Sequence, residues 1–164
     1  MIDEIDATIL NILQSNARTS NADIARQLGM APSAIFERVR KLEARGTLSG
    51  YEARIEPQAV GAGLLAFIFV RAHERVGSLY TGSLLADIPG VQEVHEIAGE
   101  DCYLVKVRVA DTDALGKLLR ERVGSLDTVS STRTTIVLQT VKESAQLPIP
   151  QVTLDAVLAE INHD

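Results

Sequence analysis

Apolar residues recur at spacings of three and four positions in the N-terminal third of the chain, which is the period of amphipathic helices. The pattern predicts a first helix from about Asp3 to Gln14, a second from Asn21 to Leu28 and a third from Pro32 to Ala44. Ser20 is a good N-cap for the second helix, Gly29 ends it, and proline suits the first position of the third. Because only a tight turn separates the last two helices, the three form a helix-turn-helix.

The rest of the chain alternates between strand and helix patterns. Residues 47–55 are short and alternating, which suits a small wing or an exit strand, and Pro57 and Gly61 mark a domain boundary. Beyond this boundary the pattern predicts a strand, a helix, two strands joined by a turn, a helix and a last strand, at residues 64–72, 78–88, 91–98, 102–109, 114–123 and 129–141. This is the order of the ferredoxin-like βαββαβ fold.

The predicted fold class is therefore α+β, a winged helix-turn-helix domain followed by a ferredoxin-like domain. We assign residues 1–50 to the helix-turn-helix domain, 51–62 to an exit strand and linker, 63–142 to the ferredoxin-like domain and 143–164 to a C-terminal tail. In the tail, Thr153 can cap a short amphipathic helix whose apolar stripe ends at Ile161. We expect the tail to pack across its own or a neighbouring ferredoxin-like domain.

The strand at 64–70 is apolar on both faces, although two helices can cover only one face of a four-stranded sheet. An isolated domain would leave a large apolar patch in water. The sequence therefore predicts self-association through the uncovered face.

Charge and composition narrow the class of protein. The chain of 164 residues carries a net charge of −6, yet residues 18–45 hold six basic and three acidic side chains, which is compatible with DNA binding. The single cysteine, Cys102, and the acidic start of the chain favour a reducing cytoplasm and no secretion signal. No uncharged stretch is long enough to cross a bilayer, so we expect no membrane partner.

The exposed arc of the third helix is the candidate for insertion into a DNA major groove. Residues near the start of such a helix reach base edges, and basic residues contact phosphates. The same pattern also fits an ordinary solvated helix face, and the two preceding helices favour the DNA-binding interpretation. We assign Ser33, Ala34, Phe36 and Glu37 to base readout and Arg38, Arg40 and Lys41 mainly to the DNA backbone.

Three motifs in the first half resemble the DNA-binding domain of the Lrp/AsnC (leucine-responsive, or feast/famine) transcriptional regulators. They are D-x-x-I-L-x-x-L-Q-x-N-A-R from Asp6 to Arg18, R-V-x-K-L-E-x-x-G from Arg38 to Gly46, and Gly50-Tyr51. The second half is similar to the ligand-sensing RAM domain of that family, so the resemblance covers residues 2 to about 142. The chain departs from the family at Ala31, where a serine usually caps the recognition helix, and at Cys102, where many members carry Asp.

A glycine beside two carboxylates, Gly99-Glu100-Asp101, is the candidate effector site. A free amino acid needs backbone N–H donors for its carboxylate and an anionic acceptor for its ammonium group, and this turn can supply both. An ordinary polar hairpin turn has the same composition. The resemblance implies that the effector binds at this loop, between subunits. The candidate contacts are Gly99, Glu100, Asp101, Cys102 and Tyr103, with Ser131, Thr132 and Thr134 on the last strand.

We conclude that the sequence predicts a sequence-specific transcriptional regulator that binds double-stranded DNA and responds to an amino-acid effector. The resemblance implies a homodimer that assembles to an octamer or larger ring. We expect no catalytic residues, no cofactor and no metal, because the histidines are scattered and lack metal-ligand spacing. Two alternatives stay open: a nonspecific architectural DNA-binding protein, and a small ligand-binding enzyme on a ferredoxin-like fold.

Overall fold

The computed structural model describes residues 2–75 and 77–150. The backbone forms two compact units. The described part of the first, here called the helical unit, consists of residues 2–53 and 143–150. The second, the sheet unit, is Arg54–Lys142. The chain thus leaves the helical unit once and returns to it near its C-terminal end.

The helical unit contains the three predicted helices. They are α1 (Glu4–Ser15), α2 (Asn21–Leu28) and α3 (Pro32–Ala44). Ser20 caps α2 by accepting a hydrogen bond from the Asp23 N–H, and Gly29 ends α2 with a φ of 65°, a conformation that favours glycine. Apolar residues of all three helices meet in one core, with Ile9, Ile24, Leu28, Ile35 and Leu42 fully buried. The prediction of a helix-turn-helix is confirmed.

The predicted wing or exit strand is wrong for this chain. Residues 47–56 form no strand in the described structure, and almost all of their side chains are exposed. A strand exists only where its backbone groups pair with a neighbour, and this segment pairs with no other strand of the described chain. The alternation of apolar and polar residues predicted a strand, but it carries no information about whether a partner strand is available.

The sheet unit has the predicted ferredoxin-like order of elements. After a short 3-10 turn at Pro57–Val60, they are β1 (Leu64–Ala72), α4 (Tyr80–Ala86), β2 (Val91–Glu96), β3 (Tyr103–Val109), α5 (Thr112–Leu118) and β4 (Val129–Ile136), with a π-helical turn at Leu119–Val123. The four strands pair antiparallel in the order β2-β3-β1-β4. The last strand stops at Ile136, not at residue 141, because its pairing with β1 ends there.

Each face of the sheet has a different environment. Ala66, Ile68 and Val70 of β1 are fully buried and pack with Leu85 of α4 and Leu115 of α5. Because side chains alternate along a strand, the neighbouring residues of β1 and β3 lie on the opposite face, which none of the helices described in the sheet unit covers. That open face carries Leu65, Phe67, Phe69, Arg71, Leu104 and Lys106.

The described part of the tail differs from the prediction that it packs on a ferredoxin-like domain. The Leu147 N–H donates to the Gln14 Oε1 at 3.0 Å, and the Leu147 carbonyl accepts from the Gln14 Nε2 at 3.0 Å. The side-chain Nε2 of Gln146 donates to the backbone carbonyl of Gln14 at 3.1 Å. Ile149 packs against the core of the helical unit. The tail therefore joins α1, where an extended backbone finds a side-chain amide to pair with. The amphipathic helix predicted from Thr153 to Ile161 lies outside the described residues.

Candidate nucleic-acid interface and effector site

The outward face of α3 is a continuous polar surface with one large apolar side chain. Ile35, Val39 and Leu42 point into the core, so the residues between them face solvent. Ser33, Glu37 and Lys41 are exposed, and Phe36 keeps 53% of its surface exposed. The Arg40 Nη2 lies 2.8 Å from the Glu37 Oε2, one helical turn away. Five of the seven predicted DNA contacts, Ser33, Phe36, Glu37, Arg40 and Lys41, thus lie on one accessible surface.

Arg38 and Ala34 have a different environment from the other predicted DNA contacts. The Arg38 Nη1 lies 2.6 Å from the Asp3 Oδ2 and 2.8 Å from the Asp6 Oδ1, both at the start of α1. Ala34 is half-buried and lines the same cleft of about 460 Å³ between α1 and α3, as do the exposed Glu37 and Lys41. The Arg38 guanidinium is thus held by two carboxylates of its own chain, and its predicted role at the DNA backbone stays a prediction. Spacing along α3 could not reveal this, because the partners are more than 30 positions away.

The acidic turn between β2 and β3 brings charges of both signs together. Gly99 has a φ of 147°, which favours glycine, and open space beside its Cα. The Asp101 Oδ2 lies 3.1 Å from the Arg133 Nη2, and the Asp101 Oδ1 lies 4.0 Å from the Arg71 Nη2. Arg71 also donates its Nε–H to the Glu100 carbonyl at 2.9 Å. The Glu100 carboxylate remains almost fully exposed.

Sequence reasoning missed both arginines. Arg71 is the one charged residue of β1, and Arg133 is in β4, whose residues pair with β1 so that Phe69 lies opposite Arg133. The Arg133 guanidinium stacks 4.0 Å from the centre of the Phe69 ring. An antiparallel alignment of the strands would have placed both near the turn, but only if the register had been known.

The other predicted effector contacts do not all gather at this turn. Cys102 turns its thiol toward β1, with the Sγ accepting the Ala72 N–H at 3.4 Å, and Tyr103 is buried with 2% exposure. Ser131 pairs with Arg71 and lies on the same face of the sheet as Arg133. Thr132 and Thr134, which pair with Val70 and Ile68, belong to the helix-covered face. Within one chain, the side chains that meet at the turn are therefore those of Glu100, Asp101, Arg71 and Arg133.

Two further observations concern metals and membranes. Among residues 2–75 and 77–150, no group of three or more histidine, cysteine and acidic side chains could hold a metal ion. In the same part of the chain, no helix has the length and apolar character that crossing a membrane requires.

A helix-turn-helix with an accessible recognition helix, joined to a ferredoxin-like domain with a charged turn, defines a two-domain transcriptional regulator that binds DNA. Residues 2–43 match the family model of the AsnC-type helix-turn-helix domain, and residues 65–147 match that of the Lrp/AsnC ligand binding domain. The chain belongs to the Lrp/AsnC family of transcriptional regulators, and the predicted family and function are confirmed.

Named relatives and solved structures agree with this assignment. The chain is 37% identical to the leucine-responsive regulatory protein of Klebsiella pneumoniae and 36% identical to that of Escherichia coli K12, in each case over 90% of this chain and 92% of the relative. It is similar to the feast or famine regulatory protein from M. tuberculosis complexed with L-methionine, with 36% identity, a TM-score of 0.84, and coverage of 92% and 100% of the two chains. The structure of E. coli AsnC is 29% identical with a TM-score of 0.82, covering 89% and 98%.

Proposed function

We propose that the protein is a homodimeric regulator whose affinity for DNA is set by a free amino acid bound at the turn Gly99–Asp101. It binds double-stranded DNA through the outward face of α3, carries out no catalysis and needs no cofactor. Transcriptional regulation is the property of its family, and the choice of effector and site is the new part of this proposal.

The observation that carries the effector proposal is the pairing of two carboxylates with two guanidinium groups at one turn. An α-amino acid is a zwitterion, so a site for it needs both an anion and a cation at short separation. Asp101 and Glu100 provide the anions for its ammonium group, and Arg71 and Arg133 lie within 4.0 Å of them as partners for its carboxylate. An L-methionine complex of the M. tuberculosis relative supports an amino acid as the ligand class.

The open face of the sheet supports the homodimer. Phe67, Phe69 and Leu104 lie partly exposed on this face, and no helix described in the sheet unit covers it. A second copy of the same face would bury these side chains, and a two-fold pair would present two recognition helices to two DNA half-sites. Assembly of such dimers into octamers or larger rings is part of the proposal.

The mechanism we propose is a shift between assembly geometries. An effector that binds more tightly to one geometry increases its population by the ratio of its affinities. Because the recognition helices move with the assembly, their spacing relative to the half-sites changes with effector binding. Differential affinity for the two geometries is the source of the response, so tight binding alone is not sufficient.

The first prediction tests the effector site. A thermal-shift screen of the standard amino acids, followed by calorimetry on the best one, should identify a ligand that stabilises the wild-type protein. A hundredfold excess over Kd adds about 2.7 kcal/mol to the free energy of unfolding. The double variant Glu100→Gln/Asp101→Asn should lose the calorimetric signal, because the ammonium group then has no anionic partner.

The matched control is Glu121→Gln, which changes an exposed carboxylate of the sheet unit away from the turn. It should bind the effector as wild type does, and light scattering should give the same assembly for all three proteins. If the double variant binds with unchanged affinity, the site is elsewhere. If none of the amino acids stabilises the wild type, the effector class is wrong.

A further inference from the structure

Three charged side chains connect the start of α1 to the middle of the recognition helix α3. The Arg38 Nη1 is hydrogen-bonded to the Asp3 Oδ2 at 2.6 Å and to the Asp6 Oδ1 at 2.8 Å. The side chains of Arg38 and Asp6 are 28% and 11% exposed, so this contact is largely shielded from water. We call Asp3, Asp6 and Arg38 the α1–α3 clamp.

Asp3 has a second role, because the same side chain that contacts Arg38 also caps α1. Its Oδ1 accepts the Asp6 N–H at 2.7 Å and so caps α1, while its Oδ2 faces Arg38. Burial raises the pKa of Asp3, but the Asp6 N–H and Arg38 outweigh burial, so the pKa is lower than usual. Burial lowers the pKa of Arg38, but Asp3 and Asp6 outweigh it, so the pKa is higher than usual. Asp3 and Arg38 are therefore both charged at neutral pH.

The clamp fixes the orientation of α3 about its own axis, which apolar packing between α1 and α3 does not. Burial of Ile35 and Val39 favours contact but has no directional preference, so it allows α3 some rotation about its axis. Short charged hydrogen bonds are directional. Glu37 and Arg40 are on the same helix as Arg38. A rotation of α3 about its axis would therefore change the direction in which their side chains point within a groove.

We propose that Arg38 is a positioning residue for DNA recognition, held by Asp3 and Asp6 to fix the orientation of α3. It does not serve as a phosphate contact. The inference rests on DNA binding through α3.

The direction of the affinity change distinguishes the clamp from a general electrostatic effect on DNA binding. Asp6→Asn removes a negative charge near the DNA-binding surface, so electrostatics alone predicts tighter binding to every DNA. The clamp predicts the opposite for the preferred sequence, because α3 loses its orientation. Asp3→Asn is a second variant, and since asparagine also caps helices it removes the contact with Arg38 while keeping the cap.

The experiment uses the full chain and two duplexes, one selected from a random library by the wild-type protein and one unrelated. Asp6→Asn, Asp3→Asn and Arg38→Gln should each weaken binding to the selected duplex on the order of tenfold, with little change on the unrelated duplex. The matched control for the carboxylates is Glu4→Gln, which removes the same charge from the same end of α1. It should not weaken binding.

Salt dependence identifies the task of Arg38. A lost phosphate contact reduces the slope of log K against log salt by about 0.9, which we expect for Arg40→Gln. Arg38→Gln should leave that slope unchanged while the affinity falls. The clamp is overturned if Arg38→Gln reduces the slope as Arg40→Gln does, or if Asp6→Asn and Asp3→Asn bind the selected duplex as tightly as Glu4→Gln. A wild-type protein that selects no sequence would instead overturn sequence-specific DNA binding, and the clamp's role with it.

Discussion

At the scale of single residues, Tyr103 follows the acidic turn in the sequence, but its side chain is buried and hydrogen-bonded to Glu74. The Tyr103 hydroxyl donates to the Glu74 Oε1 at 2.5 Å, and the Glu74 Oε2 accepts from the Ser78 hydroxyl at 2.9 Å and the Thr81 N–H at 3.2 Å. A Cβ at Gly82 would lie 2.9 Å from the Tyr103 ring, so glycine there makes room for it. Tyr103 therefore fastens the start of α4 to β3, a role that its place beside the acidic turn did not indicate.

The ionisation of this pair follows from the same contacts. Burial and the neighbouring Glu74 raise the pKa of Tyr103 to about 12, so its hydroxyl keeps its proton at neutral pH. Burial raises the pKa of Glu74, but hydrogen bonds from Tyr103, Thr81 and Ser78 outweigh burial and lower it. A lowered carboxyl pKa stabilises the fold above the pKa of the unfolded chain, and this contribution is lost as the pH falls through the folded-state pKa.

The second prediction concerns Tyr103→Phe. It should reduce the free energy of unfolding of the sheet unit by about 1 kcal/mol, because Glu74 loses one hydrogen-bond donor. Urea unfolding at neutral pH measures the change, and the loss should shrink under acidic conditions where Glu74 is protonated. Tyr80→Phe is the matched control, since Tyr80 is 61% exposed, and it should change stability by less than about 0.5 kcal/mol. Equal effects of the two variants would contradict a role for the Glu74 contact.

At the scale of elements, the recognition helix begins without the cap that the other helices of its unit have. Asp3 and Ser20 accept backbone N–H groups at the starts of α1 and α2, whereas Ala31 makes no side-chain hydrogen bond before α3. Proline at the first position of α3 compensates in part, because its missing N–H needs no partner. The start of α3, which we expect to reach base edges, is therefore held less tightly than it could be.

The third prediction follows from this missing cap. Ala31→Ser should raise the free energy of unfolding of the helical unit by about 1 kcal/mol, because the serine oxygen can accept an N–H of the first turn of α3. Chemical denaturation followed by circular dichroism measures the change. Ala53→Ser introduces the same side chain at an exposed position outside any helix and should have no effect. No gain from Ala31→Ser would mean that water already satisfies these N–H groups.

Element boundaries show which parts of the fold the sequence could predict. The bounds of α2 and α3 agree with the prediction because their starts and ends depend on local signals, the cap at Ser20, Gly29 and the proline at 32. The strand predicted at 47–55 and the extra length of β4 failed because strands require partners that a local pattern does not contain. The same limit applies to the site: Glu100 and Asp101 are visible as a motif, while Arg71 and Arg133 become part of it only through strand register.

At the scale of the whole molecule, the chain passes from the helical unit to the sheet unit and back. The return places Gln146–Ile149 against α1, where one residue, Gln14, makes three hydrogen bonds with the tail, two through its side chain and one through its backbone carbonyl. Gln14 is itself oriented by the Asn11 side chain, which accepts from its Nε2 at 2.9 Å. β4, which carries Arg133 beside the acidic turn, ends at Ile136, and residues 137–142 separate it along the chain from the segment that belongs to the helical unit.

The fourth prediction tests whether packing of the Ile149 side chain stabilises the helical unit. Ile149 contributes its side chain to the core of the helical unit, whereas Leu147 contributes backbone hydrogen bonds and leaves its side chain 70% exposed. Ile149→Ala should therefore destabilise the helical unit by about 1 kcal/mol, and Leu147→Ala, the matched control, should not. Hydrogen exchange read by mass spectrometry can assign the change to one unit. We expect faster exchange in α1 and α3 for Ile149→Ala and for Gln14→Ala, with no change in the four strands. Exchange that stays at the wild-type rate in both variants would mean that the tail does not stabilise the helical unit.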